Sequence, residues 1–146
     1  MRMAVAFAAA IAAASPAAAA QQYDWDAIGA EFCRLSTAGD VAGLRPLLSR
    51  ELNQALDAAL ANPALMPPQV LFQSYTNPVA DCTARTRNAA LVEIDRGKPP
   101  RGVPSWTEYL VIVPEADGTS RIDDVLFATR RSDTLRARLA YSALAR

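Results

Sequence analysis

Apolar residues in the first half of the chain recur at the spacing of an amphipathic helix. The first set follows three- and four-residue steps: Trp25, Ile28, Phe32 and Leu35. This spacing places the four side chains on one face of a helix, for which Asp24 is a suitable N-cap and Gly39 a suitable end. We therefore predict a first helix between these two residues.

Two more helices are predicted directly after it. Asp40 is placed to cap a short helix, whose regularity Pro46 limits. Ser49 is placed to cap a third helix that ends at the Asn-Pro dipeptide 62–63. One face of this third helix carries a stripe of leucines: Leu52, Leu56 and Leu60. From 63 to 81, prolines and scattered apolar residues without a sustained period predict a partly buried loop.

The second half of the chain is rich in the residue types of β-strands. Branched and aromatic residues predict three strands, at 83–96, 105–113 and 119–129. A proline-rich loop at 97–104 separates the first two, and the Asp-Gly pair at 117–118 predicts a tight turn between the last two. Ser132 is placed to cap a final helix that carries Leu135, Leu139 and Ala143.

Helices followed by an antiparallel sheet predict an α+β fold, with N-terminal helices packed on a sheet of three or more strands and a C-terminal helix. Large apolar residues of strand 105–113 fall on both sides of its alternation: Trp106, Leu110 and Ile112 on one side, and Tyr109, Val111 and Val113 on the other. A sheet with a single buried face alternates more cleanly. The second face is therefore expected to be partly covered, to curve around a pocket or to form a dimer interface.

Three segments carry a resemblance to a known family. They are the opening helix, the short helix at 40–44 with the Leu-Leu-Ser residues 47–49 after it, and the ending Asp-Gly-Thr-Ser-Arg-Ile-Asp-Asp-Val at 117–125. Through them, residues 24–129 resemble the NTF2-like superfamily of cone-shaped α+β domains, in its exported bacterial branch, although Ser120 stands where such families usually carry Trp. The resemblance implies a curved sheet around a cavity and frequent dimers. It implies no single activity, because the fold hosts enzymes and non-enzymes alike.

The first 20 residues have the order of parts of a secretory signal peptide. Arg2 precedes an apolar stretch at 4–14 that is too short to span a bilayer, and a Ser-Pro pair and the small residues 18–20 follow. We expect cleavage after Ala20, so that 1–20 is a signal peptide and 21–146 is one domain in the periplasm or secreted. No later apolar run approaches the length of a membrane span, so no stable membrane insertion is expected.

Charge and residue usage exclude several classes of function. Loss of residues 1–20 removes only Arg2 from the 15 basic residues, which leaves 14 against 15 acidic ones and a net charge of −1. This balance gives no reason to expect a nucleic-acid partner. The chain has no histidine, which excludes histidine-based catalysis and the commonest zinc ligand, and we expect no metal and no cofactor.

Cys33 and Cys82 are the two cysteines of the chain. In an oxidising compartment an even number of cysteines predicts a disulfide first, and a pair of buried free thiols is the alternative. Such a bond closes a loop of about 50 residues, and in the chain-entropy model it stabilises the fold by about 4 kcal/mol.

Asp124 is the catalytic candidate of the sequence. It lies between Ile122 and Leu126 on one face of a predicted strand, where apolar surroundings would suit a carboxylate to act as a general base. By strand alternation Asp123 points to the other face, so the two carboxylates cannot act as a pair. The alternative is an architectural Asp124, which pairs with an arginine or accepts backbone hydrogen bonds.

A second group of residues is a candidate lining for a ligand pocket, because such pockets are mostly apolar with a few polar groups. The group is Trp25, Phe32, Trp106, Glu108, Tyr109 and Phe127. The alternative is that the aromatic residues are core and that Glu108 forms a cross-strand salt bridge. Arg85 and Arg87 share one face of a strand, where they would hold a carboxylate or phosphate, or face solvent.

These patterns favour an exported, non-enzymatic binding or interaction module, which engages a small molecule, a peptide or another envelope protein. The alternative is a small enzyme in which a buried carboxylate and Tyr109 carry out isomerase- or hydratase-type proton transfer, by analogy with the superfamily. A third possibility is a homodimer that pairs through the open face of the sheet.

Overall fold

The structure, a computed structural model, describes residues 24–62, 66–76, 79–97 and 104–144. Its helices are α1 (Asp26–Ala38), α2 (Val41–Leu44), α3 (Arg50–Leu60), α4 (Pro68–Leu71) and α5 (Leu135–Leu144), with a 3-10 turn at Arg45–Leu47. Its strands are β1 (Cys82–Thr86), β2 (Leu91–Arg96), β3 (Trp106–Pro114) and β4 (Ser120–Leu126). The predicted α+β fold is confirmed. The predicted signal peptide at 1–20 lies outside the described residues.

The four strands form one antiparallel sheet in the order β1-β2-β3-β4. The prediction of a single strand over 83–96 is wrong, because this segment turns back on itself between β1 and β2. The amides of Arg87 and Asn88 both donate to the Leu91 carbonyl, and the Asn88 side chain accepts from the Ala90 amide. Asn88 therefore closes a turn without the glycine or proline by which hairpins are usually recognised.

Local signals set most bounds of the first three helices as predicted, but the N-cap of α1 is Trp25 and not Asp24. Gly39 ends α1 in the left-handed region, at a φ of 68°. The Asp40 carboxylate accepts from the Gly43 amide over 2.8 Å and caps α2. The Ser49 hydroxyl accepts from the Leu52 amide over 3.0 Å and caps α3. Each cap supplies an acceptor to an amide that has no partner within its helix.

The last helix begins later than predicted, and Ser132 is not its cap. The Thr134 hydroxyl accepts from the Ala137 amide over 3.2 Å, and the Asp124 carboxylate of β4 accepts from the Arg136 amide over 3.0 Å. One cap is therefore local, and the other comes from a neighbouring strand. Sequence reasoning finds the first kind of cap and misses the second.

One hydrophobic core lies between the helices and one face of the sheet. The helices and the loop after α3 contribute Phe32, Leu35, Leu44, Leu48, Leu52, Leu56, Leu71, Phe72, Leu135 and Leu139 to it. The sheet contributes Val92, Ile94, Leu110, Ile112, Ile122 and Val125, which all point to the helices. Within the described ranges, no helix is both long and apolar enough to cross a membrane.

Helix α1 is fastened closely to β1. The predicted disulfide is confirmed: Cys33 of α1 is bonded to Cys82 of β1, with 5.5 Å between their Cα atoms. One turn earlier, Gly29 faces β1 and β2. A Cβ atom on Gly29 would lie 2.4 Å from the Ala84 Cβ and 2.8 Å from a Val92 methyl group. The absence of a side chain at Gly29 therefore allows the close approach of helix and strand.

We predict that Gly29→Ala destabilises the protein, although alanine is the better helix former by about 1 kcal/mol. The added methyl group must push α1 away from β1, and overpacking of this kind costs about 1–3 kcal/mol. Urea denaturation measures the change, with Ala27→Gly at an exposed position of α1 as a control for helix propensity. A rise in the free energy of unfolding of Gly29→Ala would contradict this account of the contact.

Candidate functional site

Arg96 and Glu108 form an ion pair in the interior of the fold. The side chains of both residues are completely buried, and Arg96 Nε donates to Glu108 Oε2 over 3.1 Å. The two residues lie on neighbouring strands, β2 and β3, so the predicted cross-strand salt bridge of Glu108 is confirmed.

The second oxygen of Glu108 binds the chain that follows α4. Oε1 accepts from the Ser74 amide over 2.5 Å, from the Ser74 hydroxyl over 2.7 Å and from Trp106 Nε1 over 2.9 Å. On the other side of the pair, Arg96 Nη2 donates to the Ser36 hydroxyl and to the Phe72 carbonyl, each over 3.1 Å. The carboxylate thus accepts four hydrogen bonds, and its contacts are those of an architectural group.

We predict that Glu108→Leu lowers the free energy of unfolding by about 3–5 kcal/mol, because it leaves the Arg96 charge buried without a counter-charge. The double variant Arg96→Met, Glu108→Leu removes both charges and should lose much less than the sum of the two single changes. Chemical denaturation measures all three variants, and Glu108→Gln supplies a milder change if Glu108→Leu does not fold. A loss below about 1 kcal/mol in both Glu108 variants would contradict the prediction.

The candidate pocket residues do not line one common space. Phe32, Trp106 and Glu108 come together around the Arg96 guanidinium, which lies 5.8 Å from the centre of the Phe32 ring. The other three lie apart. Tyr109 points to the opposite face of the sheet from Glu108, Trp25 lies at the start of α1, and Phe127 packs against Arg138. The Arg96 guanidinium thus occupies the interior space beside Phe32 that a ligand would need.

Asp124 and Asp123 both bind Arg136, at the start of α5. Asp124 accepts from the amides of Arg136 and Val125, over 3.0 Å and 2.8 Å. Asp123 accepts from the Arg136 guanidinium and from the Ser49 hydroxyl, the latter over 2.6 Å. The expectation that strand alternation separates the two carboxylates does not hold, because the pairing of β3 with β4 skips Asp123 in a bulge. Asp124 has the backbone hydrogen bonds of the architectural alternative.

Arg138 holds the same irregular segment as Glu108, from the side of α5. Its guanidinium donates to the Gln73 carbonyl over 2.7 Å and to the Ser74 carbonyl over 3.1 Å. It also pairs with Asp133 over 2.8 Å and lies 3.6 Å from the centre of the Phe127 ring. Sequence reasoning gave Arg138 no role. The carbonyls that it binds lie about 65 residues earlier, and no residue near Arg138 indicates this contact.

The hydrogen bond from Arg138 holds the pKa of the Asp133 carboxyl below its ordinary value, and the Thr129 hydroxyl adds to this effect. A lowered pKa stabilises the fold above the ordinary pKa of an aspartate, near 4, and this stabilisation is lost as the pH falls through the folded value. We predict that Asp133→Asn loses about 1–3 kcal/mol at pH 7, and that its difference from wild type shrinks below about pH 4.

Urea denaturation at several pH values measures that difference. Asp57→Asn is the matched control, because Asp57 is an exposed partner of Arg45, with 64% of its side-chain surface accessible, and such pairs contribute little. A constant difference for Asp133→Asn between pH 7 and pH 3 would contradict the assignment to Asp133.

The second face of the sheet points away from the helices. Five half-buried apolar residues form a stripe on it: Leu91, Tyr109, Val111, Val113 and Leu126. They are neighbours, since Leu91 pairs with Val111 and Tyr109 with Leu126. None of the five belongs to the hydrophobic core. We call this surface the open face, because no helix of the described chain packs on its apolar stripe.

Arginines border the open face on two sides. On the β1 side, Arg85 and Arg87 both pair with Glu93, whose side chain is only 7% exposed against 63% and 48% for the two arginines. The arginine pair thus binds a carboxylate of the chain itself, and most of its surface faces solvent. On the β4 side, Arg121 pairs across the sheet with Val113, and it forms no salt bridge with any described residue. The border therefore carries both signs of charge, because Asp95 pairs with Thr107 and Asp124 with Val111 on the same face. The exposed charges at the β1 side are those of the two arginines.

A hollow of about 390 Å³ lies near the start of α3. Three arginines line it together with two carboxylates: Arg45, Arg50, Arg121, Glu115 and Asp117. Arg45 already pairs with Asp57, so the charges around this hollow balance. In the part of the chain that the structure describes, no group of three cysteine or carboxylate side chains is placed to hold a metal ion.

Comparison with known proteins gives no relative: no family model, no curated protein and no solved structure matches this chain. The resemblance to NTF2-like domains therefore stays a prediction from the sequence.

Proposed function

We propose that this chain is an exported, non-enzymatic interaction domain that binds a protein partner across the open face of its sheet. The observation that carries the proposal is the apolar stripe of that face. An antiparallel sheet covered on one side normally turns polar residues to water on the other. A contiguous apolar stripe with a polar border is instead typical of a protein interface.

The border arginines indicate the chemistry of the partner. Arg85 and Arg87 are exposed beside the buried carboxylate of Glu93, whereas Arg121 lines the hollow with Glu115 and Asp117. A partner surface that is apolar at its centre and carries acidic groups opposite Arg85 and Arg87 would complement this arrangement. Charge complementarity of this kind raises the rate of association and excludes partners with basic borders.

Two further observations support a binding role. Both oxygens of Glu108, and Oδ1 of the catalytic candidate Asp124, accept structural hydrogen bonds. The disulfide between Cys33 and Cys82 suits an oxidising compartment, in agreement with the expected signal peptide.

Site-specific photocrosslinking in the source cells tests the proposal. A photoreactive amino acid at Val111 should form an adduct with another protein, and the same amino acid at exposed Gln54 of α3 should not. Mass spectrometry identifies the adduct, and the purified partner is then titrated against the full chain. Val111→Glu places a charge in the stripe and should weaken binding by about tenfold or more. Its thermal unfolding is measured beside wild type, because Val111 is outside the core but pairs with Asp124, whose carboxylate the new glutamate repels.

The outcome also separates the alternatives. An adduct of Val111 with a second copy of the chain alone would favour the homodimer and contradict a distinct partner. Adducts of equal yield at Val111 and Gln54, or binding by Val111→Glu at wild-type strength, would contradict the open face as the interface.

A further inference from the structure

The outer edge of β1 is unpaired within the described chain. β1 is the first strand in the order of the sheet and pairs with β2 alone. Two backbone hydrogen bonds, from Gly97 to Asp81 and from Arg87 to Leu91, fix which residues turn their backbone groups towards β2. They are the odd-numbered residues of β1, so the even-numbered residues turn theirs outward.

Two outward amides remain available on this edge. The Thr86 amide donates to the Asp26 carboxylate over 2.6 Å, which closes one end of the edge. The amides and carbonyls of Cys82 and Ala84 face outward without a pairing strand in the described ranges. Such groups are a template for an added strand, and natural edges are usually blocked by proline, lysine or a covering element. β1 contains neither proline nor lysine.

A groove of about 610 Å³ runs along this edge, between α1 and β1. Its α1 wall is a stripe at helical spacing: Ala30, Cys33, Arg34 and Thr37. Its other wall consists of small residues from β1 and the chain before it: Ala80, Cys82, Thr83 and Ala84. The Cys33–Cys82 disulfide links the two walls and fixes the distance between them. The groove therefore has alanines and the disulfide as its apolar lining, with Arg34, Thr37 and Thr83 as polar members, and it lies next to free backbone groups.

An added strand would divide its side chains between two environments. Residues opposite Cys82 and Ala84 would point to the helix side of the sheet, into the groove, because directly paired residues share a face. Their neighbours would point to the other side, where Arg85 of β1 and Arg87 directly after it are 63% and 48% exposed, while Glu93 is buried behind them and Asp95 accepts from Thr107. Apolar side chains suit the groove, and acidic side chains suit the arginines.

We propose that the β1 edge and this groove bind an extended segment of a partner protein by strand addition, with apolar residues alternating with acidic ones. The backbone groups of Cys82 and Ala84 would supply the hydrogen bonds, and the groove would select the apolar side chains. This site lies on a different surface from the open face. Its test is therefore independent of the test of the proposed function.

Amide hydrogen exchange followed by NMR tests the proposal on the ¹⁵N-labelled full chain. The probe is the blocked heptapeptide Glu-Val-Asp-Leu-Glu-Val-Asp, and the control is Glu-Asp-Val-Leu-Val-Glu-Asp, which has the same composition without alternation. The probe should slow exchange of the Cys82 and Ala84 amides by about tenfold or more, because added strand hydrogen bonds protect them. The Thr86 amide, already bound to Asp26, should change little.

Two variants separate strand addition from other modes of binding. Ala84→Pro removes an outward amide but leaves the pairing with β2 intact, since proline is tolerated where the amide faces outward. It should weaken the probe about tenfold. Ala30→Glu places a carboxylate in the groove on an exposed helix position and should also weaken the probe, whereas Ala27→Glu on the same helix should not. Ala30→Glu keeps the test valid if Ala84→Pro does not fold.

Several outcomes would overturn the proposal. These are probe-induced changes confined to the open face, equal binding of the probe and its control, full binding by Ala30→Glu, or no change at millimolar probe. Protection of the Cys82 and Ala84 amides that grows with protein concentration in the absence of probe would assign the edge to a second copy of this chain instead.

Discussion

The rest of the fold depends on hydrogen-bond partners for the buried chain after α4, and the carboxylate of Glu108 is one of these partners. The chain after α4 enters the interior without regular structure, and its backbone groups must still find partners, which is why most loops stay at the surface. Glu108 accepts from the Ser74 amide, Arg96 donates to the Phe72 carbonyl, and Arg138 donates to the carbonyls of Gln73 and Ser74. Two guanidinium groups and one carboxylate thus replace the hydrogen bonds that a helix or strand would have supplied. The ion pair is buried because the segment it binds is buried.

This arrangement favours a binding site on the surface of the protein over one in its interior. A pocket among the aromatic residues would need the space that Arg96 occupies beside Phe32. Both oxygens of Glu108 and one oxygen of Asp124 accept structural hydrogen bonds. Within the described chain, two surfaces of the sheet remain available to partners. They are the open face and the β1 edge. Arg85, which borders both, would contribute charge to either surface.

The sequence predicts those features whose causes are local. The period of α1, the φ of Gly39 and the cap at Ser49 are each decided within a few residues, and each is confirmed. Most failures occur where the cause is distant or cooperative; the turn at Asn88 is local and is missed because it lacks glycine and proline. The bulge at Asp123 follows from the pairing of β3 with β4, and the cap that Asp124 supplies to α5 depends on where that helix packs. Strand alternation therefore predicted faces of the sheet for Asp123 and Asp124 that differ from those in the structure. The match to NTF2-like domains stays a prediction, since no comparison tests it.

The size of the β1 edge limits the kind of complex it can form. Cys82 and Ala84 together offer four outward backbone groups, and at Thr86 only the carbonyl is left, because Asp26 has taken the amide. At a net value of about 1 kcal/mol each, four hydrogen bonds give a dissociation constant no tighter than about the millimolar range. Backbone pairing alone would therefore be weak and open to any extended chain. Selectivity and most of the affinity must come from side chains in the groove, whose walls the disulfide holds in place before a partner arrives. A preformed groove loses less entropy on binding than a mobile one, so the disulfide contributes to recognition as well as to folding.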